Sequence, residues 1–225
     1  MLCTSDGDEQ LDLFLLGDTL SFQNRYYSST TDYKELYIDR YDLIVNEFDG
    51  RVLVVTPASQ LAKKRFSGRD TVRFVRREFN IDPSIKFGKL IYHTGGSSFG
   101  GGPTYHLELD SSGSVYLHAE TSYLTNSMYL TDSLAQGYYV GMLSENDLSK
   151  VVKALQTCNL RTLTTNRSLC CDGTLTTIIV YFNGQRKYIK TMSPPVLIDE
   201  LIRTLFTICK ETRLKKTNQK FTFEH

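Results

Sequence analysis

The stretch PTYHLELDSSGSVYLHAE, residues 103–120, decides the fold, because it contains two alternating runs joined by a turn. PTYHLELD and SVYLHAE each alternate polar and apolar residues, which predicts two strands with one buried face. Ser111, Ser112 and Gly113 lie between the runs. A three-residue loop with glycine last is typical of a type I turn followed by a G1 bulge. The sequence therefore predicts an antiparallel hairpin.

The turn also sets the register of this hairpin. With residues 111–113 as the loop, His106 lies opposite His118, and both share a face with Glu108 and Glu120. Two histidines with two carboxylates could hold zinc or another divalent metal. The alternative is a solvated polar face opposite an apolar face that helices cover.

The flanking residues predict further strands and two helices. KLIYH, TIIVYF and QRKYIK read as strands, and Asn183-Gly184 joins the last two as a hairpin with a type I′ turn. Ser144 begins a sequence that resembles a capping box, and Ser193-Pro194-Pro195 opens a second helix. Residues 121–141 are predicted to be irregular. The order β-β-β-α-β-β-α predicts an α+β fold, in which a largely antiparallel sheet built from hairpins has helices packed on one face.

The N-terminal part of the chain predicts a β-hairpin followed by two helices. KELYIDRYDLIV and RVLVVT flank an Asp49-Gly50 turn. Thr56-Pro57 is typical of a helix start, and apolar residues at helical spacing predict a second helix over residues 70–79. We therefore expect an N-terminal segment over residues 1–83 and an α+β domain over 84–225, either separate or as one continuous fold.

The predicted helical pair carries basic residues from Lys63 to Arg77, which include Arg69, Arg73 and Arg76. They indicate either a solvated helix face or an electropositive surface for an acidic partner or nucleic acid. The chain has 26 basic and 25 acidic residues, so its overall charge gives no general attraction to nucleic acid.

The N-terminus bears on localisation. No apolar run reaches the roughly 18 residues that a membrane-spanning helix needs, and no basic region precedes the first apolar run, so the chain as it stands predicts a cytoplasmic protein. Cys3 is followed by TSDGDE, which is typical of a mature bacterial lipoprotein. A lipid-anchored or exported protein is therefore the alternative.

TGGSSFGGG, residues 94–102, contains a match to the G-x-S-x-G pattern of serine hydrolases. A nucleophile elbow needs a helix after the serine, whereas Pro103 and a strand follow here. A Walker loop needs a lysine before a helix, and a dinucleotide fingerprint needs a helix N-terminus. The stretch is therefore predicted to be a loop that needs glycine for its conformation, with an anion-binding nest of N–H groups as the alternative. No cofactor is predicted.

Residues 98–117 resemble the signature of the bacterial family called domain of unknown function 6438. That signature reads C-F-G-x-C-P-x-Y, followed by a strand, D-G and a second strand, and the resemblance covers residues 87–214. The two signature cysteines correspond to Ser98 and Gly102, so no disulfide, redox or metal role of those thiols carries over. The family implies no established activity, and many of its members look exported or lipid-anchored.

The match to the family implies a structural role for the loop and for the strand that follows it. The matching residues are Phe99, Gly100, Pro103 and Tyr105, and the predicted need of the loop for glycine gives Gly101 and Gly102 a structural role as well.

None of the catalytic motifs considered above fits the sequence. The sequence therefore favours a non-catalytic protein-interaction module of a bacterium, such as an immunity-like binder. The predicted contacts, on tyrosine-rich loops and the basic helices, are Tyr123, Tyr129, Tyr138, Tyr139, Arg69, Arg73 and Arg76. The partner is expected to be another protein. One alternative is a metal-dependent enzyme that uses the hairpin histidines, and the other is a nucleic-acid binder that uses the basic helices.

Overall fold

The computed structural model describes residues 11–95, 102–122, 132–164, 174–210 and 213–225. The chain forms two compact units, of which one spans Glu9–Asn80 and the other contains Ile81–His225. Each is built on an antiparallel sheet, with five strands in the first and seven in the second. The predicted α+β class with hairpin-built antiparallel sheets is therefore confirmed.

The first unit is a meander in which each strand pairs with the next one along the chain. Its strands are β1 (Asp12–Leu16), β2 (Thr19–Tyr27), β3 (Leu36–Phe48), β4 (Val52–Pro57) and β5 (Val72–Val75), and helix α1 (Gln60–Arg65) connects β4 to β5. The turn between β3 and β4 is the predicted one. Asp49 Oδ1 accepts hydrogen bonds from the N–H groups of Arg51 and Val52, at 2.8 and 2.6 Å, and Gly50 has φ +83°.

Two predictions about the helices of this unit are wrong. Thr56 and Pro57 are the last residues of β4, and Ser59 caps α1 by accepting a hydrogen bond from the Ala62 N–H. Residues 72–75 are a strand that pairs with β4, and they do not form part of a second helix. The residues V-R-F-V fit a period of two as well as a helical period, and β-branched valines favour a strand once a neighbouring edge is available.

The second unit contains the seven-stranded sheet, with strand order β11-β10-β6-β7-β8-β9-β12. Its elements are β6 (Phe87–Gly95), β7 (Thr104–Asp110), β8 (Ser114–Thr121), β9 (Gly137–Met142), α2 (Glu145–Thr157), β10 (Leu175–Phe182), β11 (Gln185–Thr191), α3 (Asp199–Cys209) and β12 (Lys215–Thr217). β9 corrects the prediction that residues 121–141 are irregular. It pairs with β8, and that pairing holds a glycine-flanked run of tyrosines and valine in a strand.

Two local signals of the second unit are confirmed, whereas α3 begins at Asp199 and not at Ser193-Pro194-Pro195. Ser144 caps α2 by accepting from the Asp147 N–H at 3.2 Å, and its hydroxyl donates to the Asp147 carboxylate at 2.6 Å. Asn183 and Gly184, at φ 49° and 73°, form the turn between β10 and β11. No helix in the described part of the chain is long and apolar enough to cross a membrane.

One face of the seven-stranded sheet packs against α2 and α3. Alternate residues of β7 and β8, from Tyr105 to Leu109 and from Val115 to Ala119, are buried there, as predicted. Val151 and Leu155 of α2 and the apolar stripe of α3 complete this core. The polar residues of the hairpin consequently lie on the opposite face, which we call the outer face.

Candidate functional site

A row of side chains crosses the outer face from strand to strand. Thr177 pairs with His93, His93 with His106, His106 with His118, and His118 with Tyr138. The predicted pairing of His106 with His118 is confirmed. His93 was not predicted as its neighbour, because the register between β6 and β7 depends on a long-range pairing that no local turn sets.

The fourth histidine of the chain reaches the same place from a different element. Residues 221–225, which we call the covering segment, lie on the outer face after β12. The ring of His225 stacks on that of His93, with centroids 4.5 Å apart and planes 20° apart. All four histidines of the 225-residue sequence therefore lie in one cluster.

The rest of the covering segment holds this arrangement in place. The ring of Phe221 meets Tyr116 edge-on at 5.0 Å, and Phe223 is buried with its ring 6.0 Å from that of His106. The Glu224 carboxylate accepts from the Tyr181 hydroxyl at 2.8 Å and from Arg186 at 2.9 Å. These bonds keep the pKa of Glu224 below its ordinary value.

Hydrogen bonding defines the tautomer of His93. Its Nε2 lies 2.6 Å from the carbonyl oxygen of Glu224, and a carbonyl can only accept, so Nε2 carries a hydrogen. Burial lowers the pKa of His93 to about 4, so the ring is neutral near pH 7 and its Nδ1 has a free lone pair. That Nδ1 lies 2.8 Å from Nδ1 of His106, which must therefore be the donor.

The two other ring groups of the row have different surroundings. Nε2 of His106 lies 3.3 Å from a carboxylate oxygen of Glu120. His118 stacks flat on Tyr138, at 4.2 Å and 6°, and burial followed by the nearby His106 lowers its pKa. Glu108 is directed to Lys89, at 3.7 Å. Of the four predicted metal ligands, only His106 and Glu120 have polar side-chain atoms close to each other. Glu108 contacts Lys89, and His118 stacks on Tyr138.

A pocket of about 310 Å³ opens beside the cluster. Its lining includes His93, Thr94, Gly95, Thr104, His106, Thr177, Tyr188, Lys190 and His225. In the described residues, no three histidine, cysteine or acidic side chains are already arranged around one point as metal ligands. The pocket is therefore large enough for a small ligand or ion. It presents the imidazole rings of His93, His106 and His225, with Lys190 on its wall.

The glycine-rich loop is only partly described. Phe99, Gly100 and Gly101 lie outside the described residues, whereas Tyr105 packs in the core with its ring 5.8 Å from that of Phe206. Gly102, next to Pro103, does not have the positive φ that a strict need for glycine would require. That need falls on Gly95, which has φ +146°.

The predicted contact tyrosines are placed as follows. Tyr123 and Tyr129 lie outside the described residues. Tyr138 stacks on His118 and meets Phe221 edge-on, and the Tyr139 hydroxyl donates to the Ala135 carbonyl at 2.8 Å. The two described tyrosines are thus already engaged within the chain.

The predicted basic surface divides between elements of the first unit, because residues 70–79 do not form a helix. Arg69 and Arg73 are exposed, and Arg73 lies on β5. Arg76 forms an ion pair with Glu78 and donates to the Gly50 carbonyl at 3.3 Å. The basic residues therefore do not share one helix face.

An exposed apolar strand at the edge of the first sheet was not identified from the sequence. The residues that could have indicated it are LFLL, residues 13–16, between Asp12 and Asp18. Strand β1 lies at the edge of the five-stranded sheet, and all five of its residues are exposed. The exposed fractions of Leu13, Phe14, Leu15 and Leu16 are 56, 36, 69 and 53%. Among the described strands, β1 pairs with β2 alone.

Comparison of the chain with protein-family models, curated proteins and solved structures gives no match. The resemblance to the bacterial family therefore stays a prediction.

Proposed function

We propose that this chain is a non-catalytic protein-binding module whose partner adds an extended strand to the edge of β1 that no described strand pairs with. The observation that carries the proposal is the run of four consecutive exposed apolar side chains on that edge strand. Large exposed apolar patches on soluble proteins commonly mark interaction sites.

The backbone of β1 supports strand addition. An edge strand presents N–H and C=O groups that can pair with another chain, and proteins usually protect such edges with lysine, proline, a bulge or a covering element. β1 contains neither lysine nor proline, and its register with β2 is unbroken from Asp12 to Leu16. An added strand would gain main-chain hydrogen bonds at the edge and apolar contacts on both faces of the sheet.

The side chains of β1 also define the chemistry of the partner strand. Leu13 and Leu15 point to one face and Phe14 and Leu16 to the other, since side chains alternate along a strand. Asp12 is already close to Arg25, at 3.9 Å. A partner strand with apolar residues on both faces fits this edge, whereas one with acidic residues near Asp12 does not.

The test compares two lysine substitutions in the full chain. Leu15→Lys places a charge on β1, and Leu134→Lys places one on an 86% exposed leucine of the other unit. We expect a stoichiometric protein partner, captured from the native cell, to be retained by wild type and Leu134→Lys and lost by Leu15→Lys. Hydrogen exchange in the purified complex should show protection at β1. Equal capture by both variants, or protection elsewhere, would contradict the proposal.

A further inference from the structure

We propose that His93 and His106 bind a divalent transition-metal ion, zinc or a metal of similar ligand preference, through their Nδ1 atoms, and that His225 is the third ligand. This site lies in the second unit and is independent of the β1 edge. It differs from the predicted pair of His106 with His118, because the structure turns Nδ1 of His106 toward His93.

The distance between the two Nδ1 atoms is close to that of a metal site. They lie 2.8 Å apart. Two Zn–N bonds of about 2.0–2.1 Å at a tetrahedral angle would place the nitrogens about 3.3–3.4 Å apart, so the rings need to separate by only about half an ångström. The ion would displace the proton that Nδ1 of His106 donates to His93 in the metal-free protein. That proton transfers through solvent to Nε2 of His106, which can then donate to the Glu120 carboxylate.

The outer nitrogens of both rings already have the partners that metal-binding histidines use. Such histidines usually donate their second N–H to a backbone carbonyl or a carboxylate, which fixes the ring and leaves the other nitrogen for the metal. His93 Nε2 donates to the carbonyl of Glu224 at 2.6 Å, and His106 Nε2 lies 3.3 Å from the Glu120 carboxylate. His93 therefore has a backbone carbonyl as its supporting partner, and His106 has a carboxylate.

His225 and the pocket complete the site. The His225 ring stacks on that of His93 at 4.5 Å and lies 5.8 Å from that of His106, and all three rings line the pocket. Because stacked rings direct their lone pairs into parallel planes, His225 has to turn into the pocket to direct a nitrogen at the ion. Three imidazoles suit zinc, nickel or copper, and the pocket leaves room for water at a remaining position. Lys190 also lines the pocket, so its charge opposes that of the ion.

His118 provides a matched control. Its ring is 5.7 Å from that of His106, yet it stacks flat on Tyr138 and does not line the pocket. A site on the predicted hairpin pair would need His118, whereas the site proposed here does not. The two assignments therefore predict opposite results for a His118 substitution.

The first experiment needs no substitution. The untagged full chain, freed of metal with a chelator, is titrated with zinc sulfate while its histidine ring nitrogens are followed by ¹⁵N NMR. We expect Nδ1 of His93, Nδ1 of His106 and one ring nitrogen of His225 to shift as metal ligands, with Nε2–H of His93 retained and His118 unchanged. The absence of ring shifts at a few equivalents of zinc, or metal binding through His118, would overturn the proposal.

The second experiment uses variants and a different readout. Zinc should raise the melting temperature of wild type, because a ligand that binds only the folded state stabilises it. This increase should be lost in His106→Gln, reduced in His225→Ala and retained in His118→Gln. The exposed position of His225 makes its variant informative even if His106→Gln folds poorly. An unchanged increase in His225→Ala would exclude the third ligand and overturn the site as stated.

Discussion

Nδ1 of His93 lies 2.8 Å from Nδ1 of His106 on the neighbouring strand, and the other nitrogen of His93 donates to the carbonyl of Glu224. This relationship links three parts of the chain: β6, β7 and the covering segment. A neutral His93 is essential to it, because an imidazolium would present a second N–H to the donor on His106.

Stability of the metal-free protein should therefore fall as the solution becomes more acidic than about pH 6.5. The pKa of His93 is about 4 in the fold, against an ordinary value of 6.5, so the unfolded chain takes up this proton first. The contribution of His93 to the free energy of unfolding is complete above pH 6.5. It decreases as the pH falls toward 4, by up to about 3 kcal/mol. His106 and His225 face the ring and add to the effect, since both lower the pKa of His93.

Hydrogen exchange of the β6 and β7 amides, followed from pH 7.5 to pH 5 with correction for intrinsic exchange rates, measures this loss. His93→Gln should remove much of the pH dependence. If this variant showed the same slope as wild type, a group other than His93 would be responsible.

Gly95→Ala should destabilise the second unit by roughly 1–3 kcal/mol. Gly95 has φ +146°, and a Cβ there would lie 2.6 Å from Thr104 Oγ1 on β7. Gly88→Ala on the same strand is the matched control, because a Cβ there would lie 3.9 Å from the Tyr181 carbonyl oxygen and its φ is not positive. Urea unfolding of both variants checks this, and equal stabilities would show that the approach of β7 does not require glycine.

Local signals predicted much of the second unit. The turn at residues 111–113 fixes the β7–β8 register, Asn183-Gly184 fixes that of β10–β11, and Ser144 marks the start of α2. Each of these depends on residues that are close in sequence, so a propensity or a capping pattern is sufficient. The histidine pairing within the hairpin followed from the same turn.

The remaining features depend on contacts between distant residues. Residues 72–75 become a strand because β4 offers an edge, although their spacing also fits a helix. His93 meets His106 through the pairing of β6 with β7, and His225 reaches them through the covering segment, more than 100 residues after His106 in the chain. No local pattern encodes such contacts, so the cluster of four histidines was not predictable from spacing alone.

Ser144→Ala should lower the free energy of unfolding by about 1 kcal/mol, the usual effect of losing a helix N-cap. Its hydroxyl accepts from the Asp147 N–H, and Asp147 also contacts Lys150 at 2.9 Å. Ser149→Ala is the control, because Ser149 is exposed within α2 and alanine is a better helix former. Chemical denaturation should show a loss in the first variant and none in the second, and equal losses would argue against the cap.

Phe223→Ala should destabilise the second unit by roughly 3 kcal/mol, the usual effect of truncating a buried phenylalanine. Phe223 is 8% exposed, and the outer face it covers also contains Ile91 and Ile179, a cross-strand pair with no exposed surface. Removing the ring should therefore loosen the covering segment and expose apolar residues of β6 and β10 to water. It should also weaken the hydrogen bond from His93 to the carbonyl of Glu224, the next residue along the chain.

Thr222→Ala is the control, since Thr222 is exposed. Urea unfolding measures the stability, and hydrogen exchange of β6 reports the loosening. Wild-type protection of β6 in Phe223→Ala would show that the sheet is stable without the covering segment, and the segment would then be held mainly by the bonds of Glu224 to Tyr181 and Arg186.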